Sequence, residues 1–136
     1  LLLPLVFLAT STATGTLIEL PKQLTPKEIV QVKAVEYGVP APLLEKIITC
    51  ESQWQTTVQS RHIYPRDIPK VGIKKGTRER SFGISQLNLD WNPNITYEQA
   101  IDPLFAIDFM AKKVSEGRGS MWSCFPKPMK QIKPSN

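Results

Sequence analysis

The chain has 136 residues, is 41% apolar, and carries 17 basic against 12 acidic side chains, for a net charge of +5 with its single His neutral. That length can bury one core without help from a metal, so one compact domain is expected, and one His with two separated Cys falls short of any zinc-ligand spacing. The excess positive charge suits an anionic partner, whether cell-wall polymer, membrane surface or nucleic acid, and does not by itself choose among them.

In chain order, the opening stretch LLLPLVFLATSTATGT is apolar apart from Pro4 over its first eight residues, and Ser11 and Ala13 then supply the small-x-small pattern of a signal peptidase site. Residues 1–13 therefore read as a signal peptide that begins a few residues into its leader, since neither Met nor a basic stretch precedes it. The apolar run is too short for a spanning helix, which needs roughly 20 residues, so no stable membrane anchor is expected. Residues 14–24 read as a linker, residues 25–125 as the folded domain, and the Pro- and Lys-rich residues 126–136 as an extended, mobile tail.

The first helix starts at Thr25. Pro26 takes the first helical position, Glu28 completes a capping box with Thr25, and Gly38 stops the helix, with Ile29, Val32 and Val35 at helical spacing between them. A second helix runs from about Pro42 through LLEKIITCES, where Leu44, Ile47, Ile48 and Glu51 fall on one face. An unpartnered ionised group is costly to bury, so a carboxylate that continues an apolar stripe is expected to face a cleft. Cys50, beside it, is expected to be bridged to Cys124 if the chain is exported, closing a loop of over 70 residues. The alternative is two buried, independent thiols.

Between residues 55 and 82 the helical period disappears. Prolines, glycines and a dense set of Lys and Arg replace it, and a long loop with at most a small hairpin is predicted. Thr96 and Gln99 form another capping box ahead of a short helical turn, and Asp102 then caps a third firm helix with Pro103 at its first position and Gly117 as its stop. Asp90 reads as a turn residue. The overall expectation is a mainly α domain with a long loop or small hairpin beside its cleft.

Three pieces in this order, ITCESQW, SFGISQLN and AIDPLFAIDFMAKKV, resemble the goose-lysozyme-like catalytic domain of the soluble lytic transglycosylases over roughly residues 28 to 124. In that family a helix ends on a catalytic Glu followed by Ser, a Gly-x-x-Gln turn follows, and a long apolar helix packs behind. The resemblance implies a lysozyme-like α-helical fold and cleavage of the β-1,4 bond between N-acetylmuramic acid and N-acetylglucosamine in peptidoglycan. It also implies a 1,6-anhydro product and no cofactor. By position, Glu51 matches the acid/base, Ser52 its neighbouring hydroxyl, and Gly83 and Gln86 the substrate-groove turn.

Two departures stand out. Ser85, counted with the groove-binding set, replaces a commonly apolar residue, and the family's late Tyr is missing from GRGSMWSCF, where Trp122 becomes the groove aromatic without inheriting the Tyr's role. Trp54 and Trp91 are further sugar-stacking candidates, although a Trp in a small domain is more often core.

The chemistry asked of Glu51 is consistent with its type. One carboxyl can protonate the glycosidic oxygen and then, ionised, take a proton from the sugar's own 6-hydroxyl, while the N-acetyl group stabilises the oxocarbenium-like centre. Glu79, just ahead of the Gly83 turn, is the second-carboxylate candidate if the enzyme is instead a lysozyme-type hydrolase; otherwise it is a solvated charge between Arg78 and Arg80. A silent glycan-binding protein on the same fold is a further alternative. A cysteine peptidase built on Cys50 and His62 is disfavoured because Cys50 falls late in a helix, where the dipole opposes a thiolate. A nucleic-acid module using Lys70, Lys74, Lys75, Arg78 and Arg80 lacks any recognition motif. The expected protein is thus an exported, monomeric enzyme, periplasmic or extracellular, acting on peptidoglycan glycan strands with no nucleic acid, metal or cofactor.

Overall fold

The computed structural model describes residues 14–17, 19 and 21–127; the leader expected over 1–13 and most of the tail expected over 126–136 lie outside them. Thr25 opens helix α1, Pro26–Tyr37, through the capping box read from sequence: its hydroxyl accepts from Glu28 N and the Glu28 carboxylate accepts from Thr25 N. Gly38, at φ 64°, closes it in a left-handed cap. Helix α2, Ala41–Ser52, follows after a short corner and buries Leu44, Ile47 and Ile48. Helix α3, Tyr97–Ile101, uses Thr96 and Gln99 as its capping box, and α4, Pro103–Ser115, starts on the Asp102 carboxylate, which accepts from Leu104 N at 3.0 Å.

The chain is mainly helical, with one two-stranded antiparallel sheet, β1 Ser81–Phe82 and β2 Leu87–Asn88. Helices α1 and α2 pack on one another and α1 packs on α4, around a core of Val30, Leu44, Ile47, Ile48, Ile107 and Met110 that Ile84 and Leu87 complete from the sheet side. No helix among the described residues is long and apolar enough to cross a membrane.

Two expectations need correction. In α1 the buried stripe is Ile29, Val30 and Ala34, while Val32 is 49% and Val35 85% exposed. The apolar residues of α1 are spread around the helix, so spacing alone did not fix its inner face. What fixes it is α4: Asp108 accepts from Tyr37 Oη at 2.9 Å and pairs with Lys33 at 2.8 Å, turning that side of α1 towards its neighbour.

The second correction is the segment read as a loop with at most a small hairpin. Antiparallel bridges join Gln59 to Phe82, Ile63 to Arg78 and Ile68 to Ile73, and backbone bonds from Ser60 N to Ser81 O, Glu79 N to His62 O and Tyr64 N to Thr77 O fall in the same register. Residues 58–83 are therefore one irregular antiparallel ribbon that turns over the helical turn Pro69–Val71. Its arm ahead of the tip pairs with β1, which pairs in turn with β2. The ribbon was hidden because both its faces are largely solvated. Only Tyr64, Ile73, Ser81 and Gly83 are buried along it, too few to mark a period of two.

Candidate functional site

The ribbon, the end of α2 and the segment after α4 enclose a cleft of about 1050 Å³. Glu51 lies at its edge on the last turn of α2, half-buried, carried there by the Leu44, Ile47 and Ile48 stripe it extends. Its Oε1 accepts from Cys124 N at 3.0 Å and from Ser123 Oγ at 3.2 Å. Among the described residues Oε2 has no hydrogen-bond partner, so one oxygen fixes the carboxyl and the other is left without a protein contact. Cys50 and Cys124 form a disulfide across 74 residues. The bridge therefore fastens the residue before Glu51 to the residue whose amide holds the Glu51 side chain.

Behind the carboxylate, the turn Gly83–Gln86 acts as the joint of the site. Ser52 Oγ reaches Ile84 O at 2.7 Å and Ile48 O at 3.2 Å, tying α2 to the turn. Trp122 Nε1 donates to Ser85 O at 2.7 Å, tying in the C-terminal segment, and Ser85 Oγ donates to Ala106 O at 2.8 Å, tying in α4. Gly83 N donates to Val58 O at 2.9 Å, and Gln86 Nε2 donates to Val58 O at 3.0 Å and to Gly83 O at 2.9 Å, tying in the ribbon. Gly83 has φ 78°, and a Cβ there would stand 2.0 Å from Ala100 O, so no other residue fits without moving backbone.

Of the residues expected in the site, Glu51, Ser52, Glu79, Gln86 and Trp122 line the cleft. Gly83 and Ser85 do not; both are buried behind its wall, where they shape the turn that carries Gln86. Trp122 is only 5% exposed and stands edge-on to Phe109, so it contributes a rim of its indole and mainly serves the core. Trp54 faces away from the cleft, its Nε1 donating to Thr49 Oγ1 at 2.9 Å and its ring lying under Lys27.

The aromatic that the cleft does offer is Trp91, 48% exposed, against the general expectation that a Trp is core. Tyr64 and the amides of Gln55, Gln59, Asn88 and Asn92 complete a lining rich in neutral hydrogen-bonding groups. Sequence reasoning missed Tyr64 and Gln59 because their signal is the ribbon's register, which places Tyr64, His62 and Glu79 together. Asn88 Nδ2 donates to Tyr64 Oη at 3.0 Å, and burial of the phenol pushes Tyr64 above the usual tyrosine range. Glu79 is half-buried, its Oε1 accepting from Ser81 Oγ and, at 3.4 Å, from Asn88 Nδ2. It is a held carboxylate inside the cleft wall, unlike the solvated arginines on either side of it.

Backbone strain gathers at the same place. The non-glycine residues with positive φ among those described are Gln53, Trp54 and Gln86. Gln53 and Trp54 end the helix that bears Glu51, and Gln86 ends the opposing turn. Left-handed backbone at such residues costs on the order of 1 kcal/mol each. Here it is held by the Trp54–Thr49 bond and the two backbone bonds of the Gln86 amide.

Compared with known protein families, characterised proteins and solved structures, the chain matches none.

Proposed function

We propose that the chain is an exported peptidoglycan lytic transglycosylase on a lysozyme-like fold, cleaving the β-1,4 bond between N-acetylmuramic acid and N-acetylglucosamine and working as a monomer. The observation that carries this reading is the setting of Glu51: a carboxyl at the edge of a cleft large enough for several sugar rings, with Oε1 anchored and Oε2 without a protein partner. Neutral amides and an exposed Trp are the groups that bind uncharged sugars, through hydrogen bonds to hydroxyls and stacking on ring faces. The disulfide supports an oxidising compartment, and hence export.

In this reading protonated Glu51 gives its proton to the glycosidic oxygen as the bond from the muramic acid C1 to that oxygen breaks, and the N-acetyl carbonyl oxygen of the same sugar shields the positive C1. The ionised Glu51 then takes the proton of the 6-hydroxyl, O6 bonds to C1, and the 1,6-anhydro ring closes with no water consumed. Cys124 N and Ser123 Oγ keep the carboxyl pointed at the same atom through both proton transfers, and the Gly83–Gln86 joint holds the opposite wall.

A second reading, hydrolysis with water as the nucleophile, rests on Glu79, the other carboxylate lining the cleft. Two carboxylates across a scissile bond are the usual hydrolase arrangement. The acid/base assignment is tested by the clearing of a peptidoglycan suspension. Glu51→Gln should lose at least 99% of the activity, because the isosteric amide cannot donate and recover a proton, with its circular dichroism unchanged. A variant keeping more than a tenth of the wild-type rate would remove Glu51 from that role.

A further inference from the structure

Along the chain, the densest run of positive charge is a single segment. Residues 61–80 hold seven basic and two acidic side chains, and the ten basic and ten acidic residues of the rest of the chain cancel. The whole net charge of +5 therefore sits on the ribbon. Its arms carry Arg61, Arg66, Arg78 and Arg80, its tip carries Lys70, Lys74 and Lys75, and all seven are exposed. Among the described residues only Arg80 has an acidic partner, Asp90 at 3.3 Å. The two acids of the ribbon are engaged otherwise: Asp67 accepts from Lys75 N at 2.7 Å, and Glu79 lies in the cleft wall.

The register sharpens this. The bonds from Ser60 N to Ser81 O and from Glu79 N to His62 O bracket Arg61 and Arg80, which therefore stand opposite one another across the ribbon. Like charges directly opposite are destabilising. Asp90 offsets Arg80 alone, and Arg61 has no acidic partner among the described residues, so its side of the pair is left to an anion from outside. Arg61 also lines the cleft. The row of cations thus begins inside the candidate active site and continues along the ribbon to its tip.

We infer that the ribbon is a docking track for a polyanion, namely the repeated carboxylate or phosphate groups borne by the same wall polymer whose glycan strand enters the cleft. The choice of that polymer rests on the function proposed above and on the continuity of the track with the cleft through Arg61. Neutral amides and Trp91 read the sugars, and the ribbon holds the anionic substituents as the strand leaves. Such a contact is electrostatic, so it weakens steeply with salt and loses strength by position rather than by total charge.

The test uses Glu51→Gln protein, which leaves the polymer intact, and measures its co-sedimentation with insoluble peptidoglycan across a salt series. Adding Arg66→Gln, Lys70→Gln, Lys74→Gln and Lys75→Gln, all outside the cleft lining, should weaken binding at low salt at least tenfold and flatten the salt dependence. A control with the same loss of charge on the rest of the protein, Lys22→Gln, Lys46→Gln, Lys112→Gln and Lys127→Gln, should stay within twofold. Stripping the peptides from the polymer identifies carboxylates as the ligand if binding falls, and removing phosphodiester-linked polymers identifies phosphates. Equal losses in both charge sets, no loss in either, no binding by the unaltered ribbon, or insensitivity to both treatments would overturn the inference. So would equally tight binding to DNA of matched charge. Failure of the function proposed above shows up separately, as wild-type protein that sediments with the polymer but releases no fragments from it.

Discussion

The helical part of the molecule and the ribbon are held together by different forces, and the site lies where they meet. Helices α1, α2 and α4 bury fully covered side chains such as Val30, Leu44, Ile47 and Met110, whereas the ribbon between residues 58 and 83 buries little and is kept in register by backbone hydrogen bonds. The ribbon is strongly basic, whereas acidic side chains outnumber basic ones in the helical part. A scaffold fixed by apolar packing can aim Glu51, while a solvated ribbon can present many polar groups to a polymer at little cost to the core. The Gly83–Gln86 turn connects the two, bonded to α2, α4 and the ribbon at once.

The largest effect expected from breaking this arrangement is loss of the Cys50–Cys124 bridge. Closing a loop of that length contributes roughly 4 kcal/mol in the chain-entropy account, so Cys124→Ser should lower the melting midpoint by about 10 °C or more. The bridge also holds the amide that donates to Glu51 Oε1, so turnover should fall by about tenfold at temperatures where the variant is still folded. Melting curves and initial rates with and without reductant measure both, and a variant that melts lower yet turns over at the wild-type rate would confine the bridge to a stabilising role.

The next test sets core against ribbon. Leu44 is fully buried and Ile63 is 49% exposed. Leu44→Ala should cost about 3 kcal/mol and Ile63→Ala less than about 0.5 kcal/mol, both read from denaturant unfolding. Similar costs at the two positions would mean that the ribbon shares the core's cooperativity.

The smallest effect belongs to the α1–α4 contact. The carboxylates of Asp108 and Glu36 beside Lys33 hold its ammonium well above the usual lysine range, and Asp108, accepting the Tyr37 hydroxyl proton, raises that phenol. Groups raised in the folded state stabilise fully below their unfolded values and cease to do so as pH rises through the folded ones. The melting midpoint should therefore be level from neutral pH to about pH 10 and decline above it. Lys33→Met should remove part of the decline at a cost of less than about 5 °C at neutral pH, since Asp108 and Glu36 keep part of their hydration. An unchanged alkaline decline in that variant would place its origin elsewhere.

How much of this was legible in the sequence follows the same division. Both capping boxes, the Asp102 cap and the Gly38 stop could be read residue by residue, because caps are local and use specific side chains. Glu51 could be read as the end of an apolar stripe. The inner face of α1 could not, because its apolar residues surround the helix and a partner on α4 chose among them. The ribbon could not either, since its order lies in backbone bonds that carry no side-chain pattern. Tyr64 was missed for that reason, whereas Trp91 was legible as a candidate stacking face and only its exposure was not. Ser85 looked like a groove residue beside Gln86, yet alternation across the turn sends its hydroxyl to Ala106 O in the core.

The central claim, that one carboxylate does both proton transfers and the substrate supplies its own nucleophile, is tested most directly by the mass of the products released from purified sacculi. The account predicts muramic acid ends lighter than hydrated ends by one water, the 1,6-anhydro form, from the first turnover onward. Only hydrated ends would contradict it and would make Glu79 the partner of Glu51 in a hydrolase.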